Sequence, residues 1–308
     1  MFSSNVRQSL ISSRPKRVSW APPPPRRSAR RAAGAGPRAR CGLGSSRASA
    51  AAKGASEEAP TALQPDAHAA IPCDDPSMPT LDVLRKLFPR GYSSGDVLSR
   101  IPRPRRILEE VRIGASYRDV FFRAILPYIA PDSKVLELGP GSGSWTRAIL
   151  KYVPHGEVHT VDFQDVRDWI HPEPGNGRLV CYQVSDNSFT GVPAATFDFL
   201  WSFGVLCHNN AEHIREIFCN VLPKMKPSAH AAHEIGDWHK LDQLGWGLRW
   251  GIPARFKNLP DDAIWWPRNS AEQTCRIAVE EGWEVVERDL DVLRRDSLCV
   301  FRKPAQGT

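Results

Sequence analysis

Residues 135–146, VLELGPGSGSWT, constrain the fold more than any other stretch of the chain. An apolar run leads into Gly139, Gly141 and Gly143, and the residues beyond, Trp145, Ala148, Ile149 and Val153, recur at helical spacing. A chain that turns this abruptly from a buried strand into a helix needs backbone angles and close approaches that a Cβ blocks, and glycine permits both. The helix offers unpaired amides at its start. Asp162 ends the next apolar run, where an acid is placed to hold ribose hydroxyls.

From residue 134 onward, short apolar runs alternate with helical patterns, which predicts an α/β fold. Strands are expected at residues 134–138, 157–162, 178–185, 197–203, 229–235, 283–289 and 296–302. Between the fourth and fifth, Ile214, Ile217, Phe218, Val221 and Leu222 keep helical spacing. Ser270 with Gln273 three residues on reads as a capping box, and Gly282 as the end of that helix. The expected architecture is a doubly wound, mostly parallel seven-stranded sheet with helices on both faces, occupying residues 131–308. A helical lead-in spans 79–130, with its clearest helix at 116–129 and Pro127 set to end it early. Residues 238–268 fit neither pattern. The segment from Asp237 to Trp266 holds Trp238, Trp246, Trp250, Trp265 and Trp266, half of the chain's 10 Trp, and reads as an insertion after the fifth strand.

The order acid-x-Gly-x-Gly-x-Gly, with Glu137 as the acid, resembles the motif of class I S-adenosylmethionine-dependent methyltransferases, and the resemblance extends over about residues 115–302. A dinucleotide enzyme would set its third small residue one position later, at Ser144, and gives no reason for an acid at Glu137. The resemblance implies S-adenosylmethionine as cofactor, with Glu137 near its amino group and the loop of Gly139, Gly141 and Gly143 beneath it. It implies that Asp162 takes the ribose hydroxyls, that Phe163 packs on adenine, and that Asp186, with Asn187 beside it, meets the adenine amino group. The run FDFLWSFGVLCH at 197–208 looks like the family's fourth motif, which places Ser202 and Phe203 at the sulfonium. Read without the family, Asp162 is a solvated strand-end acid, Phe163 a core residue, and Asp186 and Asn187 a turn.

Methyl transfer from a sulfonium to oxygen or nitrogen is an in-line displacement, which asks for alignment and timely removal of a proton. His208, just after the fourth strand and titrating near neutrality, is the leading base, with Asp237 second and Asn209, Glu234 and His239 in reserve. No metal is expected. His230 and His233 lie three apart on a strand and so face opposite sides of the sheet. No Asn/Asp-Pro-Pro-Tyr/Phe follows the fourth strand, which favours an oxygen acceptor on a small molecule over the planar amines of nucleic-acid and protein substrates. The Trp-rich insertion either covers that acceptor and excludes water or forms a small core of its own. Arg268 either binds an acidic group of the substrate or makes a surface ion pair.

Charge divides the chain. Residues 1–56 carry ten Arg, two Lys and no acid, so removing them from a net charge of +7 leaves −5 on the remainder. A mildly acidic domain is not one that draws a nucleic-acid backbone, and nucleic acid is not the expected partner. Residues 1–78 read as a disordered basic transit peptide and linker, rich in Arg, Ser and Ala, with a plastid preferred to a mitochondrion. No apolar stretch reaches bilayer length. Seven cysteines without a Cys-x-x-Cys pair suit a reducing compartment. The sequence leaves the oligomeric state open. Two further readings stand beside the small-molecule enzyme: an RNA or protein methyltransferase, and a methyltransferase-like assembly factor without activity.

Overall fold

The computed structural model describes residues 93, 95–168, 170 and 177–305. The leader and linker at 1–78 and the start of the lead-in at 79–92 lie outside the described residues. Seven strands form one sheet: β1 (Lys134–Leu138), β2 (Glu157–Asp162), β3 (Leu179–Gln183), β4 (Phe197–Ser202), β5 (Met225–Gly236), β6 (Glu284–Glu287) and β7 (Asp296–Arg302). Their order is β3-β2-β1-β4-β5-β7-β6. Neighbours from β3 to β5 run parallel, while β7 is antiparallel to both β5 and β6.

Six α-helices carry the connections among the described residues: α1 (Pro104–Ile113), α2 (Tyr117–Val120), α3 (Ser144–Tyr152), α4 (Ala211–Val221), α5 (Trp238–Leu244) and α6 (Ala271–Glu280). Alternation along the central strands feeds two cores. Leu136, Leu200, Ala231 and Phe301 face α4 and α6, packing on Phe218, Val221 and Ala278. Val135, Phe199, Trp201 and Val300 face the opposite side, with Val120, Phe121, Trp145 and Ile149 of the lead-in and α3. Both faces of the sheet are covered, as the continuous apolar runs of β1 and β4 require.

Local chemistry explains the boundaries. The helix expected at 116–129 starts where Ser116 accepts a hydrogen bond from the Arg118 amide, 3.2 Å. It keeps α geometry only to Val120, widens across Phe121–Ile125, where the Leu126 amide reaches back to the Phe121 carbonyl, and ends in a tight turn at Leu126–Tyr128. Pro127 lacks an amide hydrogen and its ring crowds the carbonyl four residues back, so the α ladder cannot continue through it. The Ser270 hydroxyl caps α6 on the Gln273 amide at 3.2 Å, and Gly282 follows that helix with φ +91°. β5 starts four residues before the expected strand, with a register shift against β4 and Ser228 at φ +63°. That irregular start hides the strand's alternation in sequence.

Candidate functional site

The strand order reverses between β1 and β4, so the crevice of this sheet opens at their carboxyl ends. The register brings the expected residues to that edge. Leu138 pairs with Val161 on one side and Ser202 on the other, and Asp162 pairs with Gln183. Glu137, the glycine loop, Asp162, Phe163 and Phe203 therefore share one end of the sheet.

The three loop glycines all have positive φ, +59°, +53° and +76°. At two of them packing adds a second requirement. A Cβ on Gly139 would lie 2.4 Å from Val205 Cγ2, and one on Gly143 would lie 2.9 Å from Ile170 Cγ2. Gly139 thus lets the loop after β1 close on the loop after β4, a tertiary need beyond the ligand approach its sequence position suggests. Gly143 opens α3, and the Arg147 side chain folds back onto the Ser142 carbonyl at 2.7 Å.

Glu137 is buried, and Thr146 of α3 donates to its Oε2 at 2.6 Å. Burial pushes the Glu137 carboxyl up to about 7, with the Thr146 hydrogen bond and the charge of Arg147 pulling against it. Asp162 is largely buried at the end of β2. Burial raises its carboxyl, while the amides of Gln164, 2.8 Å away, and Phe163 favour the charged form. Phe163 is half-buried beside it, its carbonyl accepting from Gln183 Nε2 at 3.3 Å. Phe203 sits among Tyr117, Trp145 and Trp201, with ring centroids 5.1–5.9 Å away.

Three expected ligands have other engagements. The Ser202 hydroxyl is buried 2.7 Å from His233 Nδ1, on the α4 side of the sheet, so only its backbone faces the crevice. Asp186 is exposed and accepts from the Ser188 amide at 2.9 Å, and hydrogen bonding to the Ser188 hydroxyl and amide holds its carboxyl below the usual range. Asn187 Nδ2 donates to Glu216 of α4 at 2.9 Å. The turn reading matches the hydrogen bond of Asp186, while Asn187 is tied to α4; both lie at the crevice edge after β3.

The two expected bases differ in the same way. Asp237 Oδ1 accepts from the amides of His239 and Lys240, at 3.0 and 3.4 Å, and its Oδ2 from the Ala271 amide and Ser297 Oγ, at 3.3 and 2.7 Å. Four donors fill the carboxylate, which caps α5 and secures the start of α6. It is a structural acid rather than a proton acceptor. His208 is only partly buried, with Nδ1 2.8 Å from the carbonyl of Trp265 and its ring against Trp265 and Trp266. A neutral ring donating at Nδ1 carries its lone pair on Nε2.

The insertion has its own small core. Trp250 and Trp266 are buried with Leu241, Ile252, Phe256, Ile264 and Cys207, while Trp238, Trp246 and Trp265 are partly exposed around it. Arg268 staples this unit: it pairs with Asp261 at 2.5 Å, donates to the Leu259 carbonyl at 2.7 Å and lies over the Trp238 ring at 4.7 Å. It is an internal fastening and offers little to an acidic substrate.

Sequence reasoning did not anticipate the buried ionic group under this edge. Arg295 and Asp296 form a 2.7 Å ion pair, Arg295 lies 4.7 Å over the Trp266 ring, and Glu234 Oε2 accepts the Gly204 amide at 2.9 Å. Burial and the charge of Asp296 push the Glu234 carboxyl up to about 8, against the pull of Arg295. The signal available was a lone acid in the apolar run of β5, facing an Arg-Asp pair at the start of β7. His230 and His233 do face opposite sides, one beside Tyr128 and the other beside Phe218. Among the described residues no group of three His, Cys, Asp or Glu is placed to hold a metal ion.

The donor set suits a sulfonium nucleoside carrying an amino acid. An acid at Glu137 complements an ammonium, and a raised, amide-supported carboxylate at Asp162 complements a diol. Ser142 Oγ, between two loop glycines, is buried with no hydrogen-bond partner among the described residues, as a hydroxyl kept for a ligand is.

A family model described as methyltransferase domain matches residues 113–288, more than half of the chain. No curated protein matches it. Among solved structures it is similar to a Bordetella parapertussis protein described as a possible exported protein, at 17% identity and TM-score 0.51, over 71% of this chain and 82% of that one. It is also similar to methyltransferases dependent on S-adenosylmethionine from Aquifex aeolicus (16% identity, TM-score 0.46, 63% and 92% covered) and Methanosarcina mazei (13%, 0.44, 59% and 97%). At such identities the likeness concerns the fold.

Proposed function

Because this chain belongs to the methyltransferase-domain family and is an S-adenosylmethionine-dependent methyltransferase, we propose that its acceptor is a small molecule methylated on oxygen. S-adenosylmethionine, when bound, supplies a methyl group made electrophilic by the sulfonium. Asp162 and Glu137 would bind its ribose and amino group, the loop of Gly139, Gly141 and Gly143 would hold it, and Phe163 would border the adenine. Asp186 and Asn187 would lie at the adenine edge, and Phe203 with the backbone of Ser202 would line the reacting end.

The observation that carries the proposal is His208, held at Nδ1 by the Trp265 carbonyl and flanked by two rings of the insertion. That hydrogen bond would orient Nε2 as a proton acceptor, so His208 would take up the hydroxyl proton of the acceptor substrate. The partly exposed Trp faces give an aromatic or isoprenoid acceptor a surface and exclude water. The negative charge of residues 57–308 argues against a polyanionic substrate.

The test is transfer of labelled methyl from S-adenosylmethionine to a panel of hydroxylated aromatics and prenols, beside total RNA and protein. Label in a small-molecule ether, lost about 10²–10⁴-fold in His208→Gln as expected for a general base, supports the reading. Label in RNA or protein overturns it. We further assign residues 1–78 as an organelle transit peptide, plastid before mitochondrion, on their Arg-rich, acid-poor composition. A fluorescent protein fused behind them reports this directly, and cytosolic fluorescence refutes it.

A further inference from the structure

Helix α1 is built inside out. An ordinary surface helix turns its apolar stripe to the core and its charges to water. In α1 the inward face carries two buried charged side chains, Arg106 and Glu109, beside Ile113. Arg106 is buried, donating to Glu110 at 2.8 Å and to the carbonyls of Asp96 and Ser99; Glu110 in turn accepts the Tyr117 amide at 2.7 Å. Glu109, also buried, pairs with Arg112 at 3.3 Å. Three of its large apolar residues are left outside: Ile107, Leu108 and Val111 are 47%, 42% and 53% exposed, and Ile101, just before the helix, is 87% exposed. Seven large apolar side chains are exposed among the described residues, and four of them are these.

The fringe of the patch selects its partner. Arg100 and Arg103 are exposed on the same segment, while the helix's two acids are turned inward and paired. An apolar stripe with a cationic border and no outward acid on the helix complements an anionic interface with an oily interior, which an anionic phospholipid surface provides. A second copy of this chain would have to set the same arginines against each other across a twofold contact. α1 also packs beside the insertion: a Cβ on Gly251 would lie 3.2 Å from Arg112 Cδ. We propose that α1 and the preceding loop, residues 100–111, form a membrane-surface docking site that lays Ile101, Ile107, Leu108 and Val111 into the headgroup region of an anionic bilayer.

Co-sedimentation of the full chain with phosphatidylcholine vesicles, with and without about one-third phosphatidylglycerol, tests the proposal. The comparison is with the triple variant Ile107→Glu, Leu108→Glu, Val111→Glu, which alters exposed positions only and keeps the basic N-terminal residues. The expected result is binding to the anionic vesicles that the variant weakens about tenfold or more, since charge on the inserted face opposes burial. Unaltered S-adenosylmethionine binding and circular dichroism identify the variant as folded. In a folded variant, undiminished binding places the lipid contact in residues 1–92 and overturns the proposal. So does failure of the wild-type chain to bind, or a change of oligomeric state in the variant, which makes the patch a contact between copies. If the triple variant does not fold, Ile101→Glu outside the helix decides in the same way.

Discussion

Burial raises the Asp162 carboxyl while two backbone amides draw it back, at the end of β2 on the crevice edge. If Asp162 holds the ribose as proposed, replacing it by alanine should weaken S-adenosylmethionine binding by about 1–3 kcal/mol in calorimetry, with little change in fold. The same residue type means something different at Asp237, where four protein donors already fill the carboxylate. Asp237→Ala should act on stability first, lowering the midpoint of urea unfolding by the equivalent of about 1–3 kcal/mol for buried donors left unpaired. Sequence position alone ranked both acids as site residues. Only their hydrogen-bond partners separate them, and two of Asp237's four, the Ala271 amide and the Ser297 hydroxyl, lie on distant later segments.

Among the elements, the cap of α6 was legible because it is local: Ser270 and Gln273 are three residues apart and the hydroxyl meets the amide as expected. Ser270→Ala should cost about 1 kcal/mol in equilibrium unfolding. The turn from β1 to α3 combines local and distant demands. Gly139 needs its positive φ for the turn, and it needs its missing Cβ to admit Val205 from the loop after β4. Gly139→Ala should therefore destabilise the fold by about 1–3 kcal/mol and abolish detectable cofactor binding, because the strained backbone and the clash both fall at the crevice. An alanine variant that binds S-adenosylmethionine normally would show that the two loops do not need this contact. The lead-in helix reads as one element in sequence, and Pro127 divides it because the missing amide outweighs the apolar spacing.

Across the whole molecule, buried titratable groups couple stability to pH. Glu137 and Glu234 have carboxyls raised from 4.5 to about 7 and about 8, chiefly by burial, so the folded state holds protons that the unfolded chain releases. Their stabilisation is full below 4.5 and is lost as pH rises through the folded values. His233 runs the other way: burial lowers it from 6.5 to about 3, so its contribution is present above 6.5 and lost as pH falls toward 3. Urea melts across pH should show stability declining from pH 6.5 to 8, and Glu234→Gln should flatten that decline; an unchanged slope would remove Glu234 from the account. By itself the sequence determined the α/β class, the near-exact limits of β1, β2, β4 and β7, the glycine loop and the strand-end acid, because each is set by side-chain periodicity or by the backbone freedom of neighbouring residues. The tertiary structure alone decided that Ser202 turns to His233, that Asp237 is a cap, that the insertion holds His208 by the Trp265 carbonyl, and that Glu234 lies over an Arg-Asp pair. Those outcomes depend on which distant groups meet once the sheet has closed, and the free energy of a buried polar atom is fixed by its partner rather than by its place in the chain.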